Sequence, residues 1–370
     1  MSARLGDVVA TGTSIWLDDL SRERLIEAPS GISLSFLIKN EYVTGVTTNP
    51  IIFSQAISKS DLYSDEIKAL AKAGEDVESI ITKLTTDDVR NACDLFTEIH
   101  EKSNGIDGRV SIEVDPRLAR DTENTIIQGR ALWKIVNRPN LLIKVPATIE
   151  GLPAITALIA DGISVNVTII FSVARYKAVL EAFMAGLELR LSHGKSITEI
   201  HSVASFFISR VDSEVDAQLK ALGTEAATAL LGKTAIANAR LAYQEFKSLK
   251  TTARWKILAE NGAHIQRPLW ASTGVKDKSY DDTRYVIELT GPDTVNTMPQ
   301  GTLNAVKEHG AARGDALTPN IESAIADLTA LAATGVSLQD VGIKLELEGI
   351  DKFVAPWIEL IETVTKVASN

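Results

Sequence analysis

Cysteine occurs once, at position 93, so the chain can close no internal disulfide and assemble no cysteine-based zinc cluster. The five histidines, His100, His193, His201, His264 and His309, form no HExxH pattern and no close pair, which leaves a catalytic zinc site without support. Long apolar runs are also missing. The longest, around residues 152–173, is interrupted by Asp161, Gly162 and Asn166, and the N-terminal MSARLGDVVATG has no apolar core of signal-peptide length. Export and membrane insertion are therefore not expected, and a lone cysteine suits a reducing cytoplasm. Positive charge is in deficit. With 38 lysines and arginines against 48 acidic residues the net charge is −10, which argues against binding that relies on broad attraction to a nucleic-acid backbone. Basic and aromatic residues do not interleave as on a base-stacking platform. There is no GxGxxG. Gly232-Lys233-Thr234 resembles a P-loop ending, but Ala227 stands where that motif requires glycine.

What is present is a chain of 370 residues, 45% hydrophobic and 23% charged, enough for one large core or two ordinary ones. Eight short runs rich in β-branched or alternating residues predict strands near 13–19, 45–50, 108–115, 141–146, 163–170, 200–208, 267–273 and 293–297. Helical periodicity lies between them, best over 117–137, 173–191 and 226–260. Strands alternating with helices imply parallel pairing, and eight of them favour a closed (β/α)8 TIM barrel over a doubly wound sheet. No linker, low-complexity stretch or short repeat divides the chain, so residues 1–370 are expected to form one domain. A barrel of this kind uses about 250 residues. The surplus falls in helical insertions at 51–107 and 212–266 and in C-terminal helices over 300–370, which end in IDKFVAPWIELIETVTKVA, an amphipathic segment suited to packing across the barrel.

Parity within the strands is the sharper signal, because alternate side chains of a barrel strand face the interior and the surrounding helices. In GRVSIEVDP, Val110, Ile112 and Val114 oppose Ser111, Glu113 and Asp115. In ISVNVTII, Ile163, Val165, Val167 and Ile169 oppose Ser164, Asn166 and Thr168. The same split groups Asp18 with Ser14 and Trp16, Thr47 with Asn49, Thr294 with Asn296, and Lys144 with Leu142. Barrel strands covered on both sides should be almost uniformly apolar. A second, polar face therefore predicts a polar pocket at the strands' carboxyl ends; the alternatives are edge or half-exposed strands of an antiparallel sheet, which the intervening helices oppose, or internal hydrogen-bonded core residues.

Lys144, in LLIKVPA, stands out. Burial disfavours an ammonium and frees an amine that can attack a carbonyl to form an imine. The competing reading is a rim lysine paired with a carboxylate. Glu113 and Asp18 occupy equivalent heights on other strands and could divide acid and base work, or serve as structural partners of Lys144. Asn49, Asn166 and Thr168 are suited to sugar hydroxyls and an ordered water.

Five segments together resemble the transaldolase family, in the family's order: VTTNP around Asn49, SIEVDPRLA around Glu113, LLIKVPATIEGL around Lys144, SVNVTIIFS around Asn166, and SVASFFISRVD with Ser205 and Arg210. PLWASTGVKD and GPDTVNTMP are similar to the longer bacterial branch, including the form fused to phosphoglucose isomerase, although no isomerase segment lies within these 370 residues. The resemblance implies a class I aldolase-like mechanism with no cofactor and no metal. It moves a dihydroxyacetone unit from sedoheptulose 7-phosphate to glyceraldehyde 3-phosphate, giving erythrose 4-phosphate and fructose 6-phosphate in the pentose phosphate pathway.

By motif position Lys144 forms the Schiff base, Asp18 exchanges the C4-hydroxyl proton, and Glu113 acts through a water held by Thr168. Asn49 and Asn166 grip the dihydroxyacetone hydroxyls with Thr47 beside them, Ser205 or Ser272 adds a hydroxyl, and Arg210 takes the phosphate. Two departures stand out. Leu17-Asp18-Asp19-Leu20 replaces the frequent Asp-Thr-Gly-Asp, and parity selects Asp18. Ala271-Ser272-Thr273-Gly274 replaces Ala-Ser-Phe-Arg, so a second phosphate-binding arginine is missing, with Lys276 or Arg267 as substitutes. The partners implied are sugar phosphates, with no nucleic acid and no membrane; monomer and homodimer both stay open. The rival readings are a fructose-6-phosphate aldolase-type lyase, which generally lacks the carboxylate at Glu113, and a catalytically silent sugar-phosphate-binding barrel.

Overall fold

A computed structural model describes residues 2–27 and 31–369. Eight strands, β1 (Thr13–Leu17), β2 (Val43–Val46), β3 (Arg109–Glu113), β4 (Leu141–Pro146), β5 (Val165–Ile170), β6 (Ser202–Phe207), β7 (Arg267–Ala271) and β8 (Thr294–Met298), close into a barrel in chain order. Every pairing is parallel, including β8 with β1. The (β/α)8 TIM barrel expected from the alternation is thus observed. Strand β2 ends three residues before Asn49. Asn49 instead caps the helix Pro50–Lys59, accepting the Ile52 N–H at 3.0 Å, with proline at the first helical position. The stretch 226–260 is three helices rather than one, Glu225–Thr228, Thr234–Leu249 and Ala253–Glu260. Gly232 at φ 70° breaks the first junction, and Thr252 starts the third helix by accepting the Trp255 N–H.

Register fixes which side chains point inward. Glu113 pairs with Lys144 and Lys144 with Asn166, so three chemically active groups share one inner layer. Lower down, Trp16 fills the interior against Gly45, where a Cβ would lie 2.6 Å from the indole, so only glycine fits. Two parity expectations fail. Thr294 pairs with Thr13 and Asn296 with Ile15, both on the outer face, and the Asn296 amide donates to the Tyr285 carbonyl at 3.0 Å. The inward residues of that strand are Val295 and Thr297, and the Thr297 hydroxyl meets that of Thr47 at 2.6 Å. Ile169 departs from the outer face as well. Its φ of 55° coincides with a register shift between Val167 and Ile170. A bulge of this kind re-aims the strand end, and Ile169 packs toward Gly349 of the last helix.

That last helix, Leu338–Ala368, runs across the carboxyl mouth of the barrel. Its buried face, Val341, Gly342, Leu345, Gly349, Phe353, Leu360 and Val364, keeps helical spacing. It rests on the helices Pro50–Lys59, Ser64–Lys72, Val77–Leu95 and Ser209–Leu222 and on β5. At Gly349 the helix backbone faces Phe171 and Ile169, and a Cβ there would make ordinary contact with Phe171 at 3.5 Å. Among the described residues no single helix is long and apolar enough to cross a membrane; one bent pair, Thr318–Ala333 with Leu338–Ala368, qualifies by length and composition alone.

Candidate active site

A cavity of about 200 Å³ opens at the carboxyl ends of the strands, lined by Asp18, Thr47, Asn49, Lys144, Ser205, Arg210, Ser272 and Lys276 among others. Eight of the eleven site residues expected from sequence thus line one cavity. The other three, Glu113, Asn166 and Thr168, are buried beside it. Lys144 is only 4% exposed. Its Nζ donates to the Thr48 carbonyl at 3.1 Å and lies 2.9 Å from Glu113 Oε2. Neither Glu113 oxygen has a well-aligned donor, and the Thr168 hydroxyl has no partner among the described residues. Burial raises the Glu113 carboxyl above its ordinary range, opposed by the Lys144 ammonium. The two readings of Lys144 therefore merge: it is a buried cavity lysine that also has a carboxylate partner.

Asp18 sits across the cavity and accepts from the Thr47 hydroxyl at 2.7 Å. Burial raises its carboxyl as well, with Lys144 and the Thr47 hydroxyl pulling the other way. Asp19 is bridged to Arg24 at 2.6 Å and does not line the cavity. Asn166 is locked by two side-chain hydrogen bonds, donating to Ser111 Oγ at 3.0 Å and accepting from Ser205 Oγ at 2.7 Å. Ser272 adopts φ 55°, and its hydroxyl meets that of Ser209 at 3.1 Å.

Arg210 begins the helix Ser209–Leu222 one residue in, just past β6. Its guanidinium lies 5.4 Å from the Phe207 ring centre and 5.9 Å from that of Phe353, and its buried NH1 has no acceptor among the described residues. Burial lowers its pKa; Asp18, Glu348 and Glu113 counteract this. Lys276 lines the same cavity, whereas Arg267 lies at the opposite end of the barrel, bonded to Asp107, Ser14 and the Thr294 carbonyl. Arg267 is thereby removed as a second phosphate ligand, because β7 carries it at its first residue and not its last. Phe353 escaped the sequence reading. It is 3% exposed, lines the cavity, and places its ring centre 5.5 Å from Lys144 Nζ. The signal available was the helical stripe of apolar and glycine residues in the last segment, which marks a packed face without saying what it covers.

The sequence profile of the family described as Transaldolase/Fructose-6-phosphate aldolase matches residues 15–364. The chain belongs to this family. It is 53% identical over 366 residues to the transaldolase of Thermobifida fusca (strain YX), covering 99% of this chain and 98% of the other. It is 54% identical over 363 residues to that of Mycolicibacterium paratuberculosis (98% and 96% covered) and 56% over 353 residues to that of Arthrobacter sp. (strain FB24) (95% and 94% covered). The transaldolase/fructose-6-phosphate aldolase match extends to residue 364, so it takes in Phe353 and all but the last turn of the helix across the mouth.

Proposed function

We propose that this cavity performs the transaldolase reaction, as a transferase that works through a Schiff base on Lys144. The observation that carries the reading is the 2.9 Å approach of Glu113 Oε2 to Lys144 Nζ, with a second carboxylate, Asp18, facing the same small cavity.

Glu113 takes the proton that Lys144 must lose, and the amine attacks C2 of the ketose, sedoheptulose 7-phosphate in this reading. Glu113 then returns a proton, through a water shared with Thr168, as the carbinolamine loses its hydroxyl. Asp18 removes the C4-hydroxyl proton. The C3–C4 electron pair flows into the iminium, and erythrose 4-phosphate leaves as the aldehyde. Asn49, Asn166 and Ser205 hold the three-carbon enamine, while Phe353 covers Lys144 and keeps water from the intermediate. Glyceraldehyde 3-phosphate then accepts the enamine carbon, Asp18 gives back its proton, and hydrolysis of the imine releases fructose 6-phosphate. Arg210 and Lys276 take the phosphate, Arg210 as a planar fork. The proposal places this chemistry in the cytoplasm.

Borohydride reduction in the presence of donor sugar tests it. The expected result is a mass adduct on the Lys144 peptide, absent in Lys144→Ala. No adduct on folded protein overturns the covalent mechanism. Steady release of dihydroxyacetone from fructose 6-phosphate without acceptor, at the rate of turnover, points instead to a lyase.

A further inference from the structure

A second cavity, of about 270 Å³, opens at the amino ends of the strands, on the far side of the barrel from Lys144. Its walls bring together two buried arginines and a pair of histidines in a protein whose net charge is −10. Arg109 is 2% exposed, and its hydrogen bonds go to neutral carbonyls, from Nε to Gly105 at 2.6 Å and from NH1 to Pro139 at 3.3 Å. No carboxylate among the described residues forms an ion pair with it, and burial brings its pKa down to about 9. A buried cation without a counter-ion is costly and calls for an anion.

The other groups converge on the same place. A Cβ on Gly105 would lie 2.8 Å from His201 Nε2 and 3.0 Å from Arg109 NH2, so these two nitrogens border one spot. The His201 ring is stacked on His264, with centres 4.1 Å apart and an 18° interplanar angle. Arg267 uses NH1 and NH2 on Asp107, Ser14 and backbone carbonyls, but its buried Nε has no partner. Of the acids facing the cavity, Asp107 is committed to Arg267, Ser14 and Trp16, and Asp293 is bridged to Lys250 at 2.5 Å. A stabilising plug at the barrel floor accounts for Trp16, Ser14, Asp107 and Arg267. It does not account for Arg109 or the stacked histidines.

We propose that the amino-end cavity is a second ligand site, which takes a small phosphate-bearing anion on Arg109, His201 and His264. A guanidinium and imidazole N–H groups suit phosphate oxygens. The ligand rests on Leu142 and Val203, two residues before Lys144 and Ser205 on β4 and β6.

The test is titration of the full chain with inorganic phosphate against chloride at constant ionic strength, read through the histidine ring signals in NMR. His201 and His264 are expected to shift saturably with phosphate and not with chloride. Arg109→Met should weaken this binding about tenfold or more. Because that variant removes a buried group, Ile106→Glu is the second probe. Ile106 is 45% exposed at the cavity rim, so the substitution adds an opposing charge without disturbing the core. Arg210→Ala, at the opposite cavity, should leave the His201 and His264 shifts unchanged. The proposal is overturned if phosphate and chloride act alike, if Ile106→Glu binds normally, or if the shifts disappear with Arg210→Ala.

Discussion

The two ends of this barrel hold the same ingredients, buried cations on inward-facing strand positions, and differ in what accompanies them. At the carboxyl end Lys144 has Glu113 at 2.9 Å and Asp18 across a cavity, two carboxylates that burial pushes above their usual range. At the amino end Arg109 has only carbonyls and Arg267 shares a single carboxylate with the tryptophan floor. A lysine beside a proton-accepting acid can become a nucleophile. An arginine among carbonyls keeps its charge and can only bind. One end is thereby built to move protons and the other to hold a charge, although the strands' inner faces run continuously between them.

The sharpest way to break this contrast is at its catalytic end. Lys144→Ala should lower turnover by at least about 10⁴-fold, checked by a coupled assay for fructose 6-phosphate formation. Glu113→Gln keeps the shape and removes the base, and a loss of about 10²–10³ in kcat is expected. The fall should be in imine formation, read as slower borohydride trapping. If Glu113→Gln traps at the wild-type rate, the carboxylate beside Lys144 is structural and the difference between the ends weakens.

Phosphate capture at the carboxyl mouth gives a smaller effect. Arg210→Ala should raise KM for the phosphorylated donor about ten- to a hundredfold with a lesser change in kcat, and Lys276→Ala by less, because it is the exposed member of the pair. Little or no loss should appear with an unphosphorylated acceptor. Phe353 acts on the fate of the intermediate. Phe353→Ala should raise the fraction of bound three-carbon unit released as dihydroxyacetone about threefold to tenfold, as water reaches the enamine. The truncation also costs about 3–5 kcal/mol of packing, so Phe353→Leu serves as the folded control, and an unchanged release fraction in both would remove the lid role.

The barrel and its polar inner layer were both legible because period-2 alternation survives in strands of five or six residues, and the polar face of β3, β4 and β5 coincides with the layer of Glu113, Lys144 and Asn166. Parity failed where backbone geometry changed it. The outward Asn296 is satisfied by the Tyr285 carbonyl, a partner no local pattern reveals, and Ile169 is turned by a left-handed residue at a register shift. Arg267 looked like a phosphate ligand because its distance along β7 from Ser272 says nothing about which barrel end it reaches. Phe353 was hidden for a different reason. It is 209 residues from Lys144 in the chain, and only the crossing of the last helix brings the two together.

The remaining predicted effect concerns stability, and its sign differs between the ends. His201 is held down to about 2, first by burial and then by Arg109, His264, His100 and Arg267. Unfolded, the imidazole titrates near about 6.5. The unfolded chain therefore binds the extra proton first, and the stability His201 contributes is complete above that pH and is lost as pH falls below it. Glu113 and Asp18 act the opposite way. Their raised carboxyls favour the fold while protonated, and that contribution is lost as pH rises through their folded values. Urea unfolding of wild type and His201→Gln between pH 7 and 4 separates the two, because the carboxylate contribution is common to both proteins. The wild type should lose up to about 1.4 kcal/mol more per pH unit than the variant. Parallel curves would mean that His201 takes up its proton in the folded state, and that the amino end already supplies a counter-charge beyond Asp107.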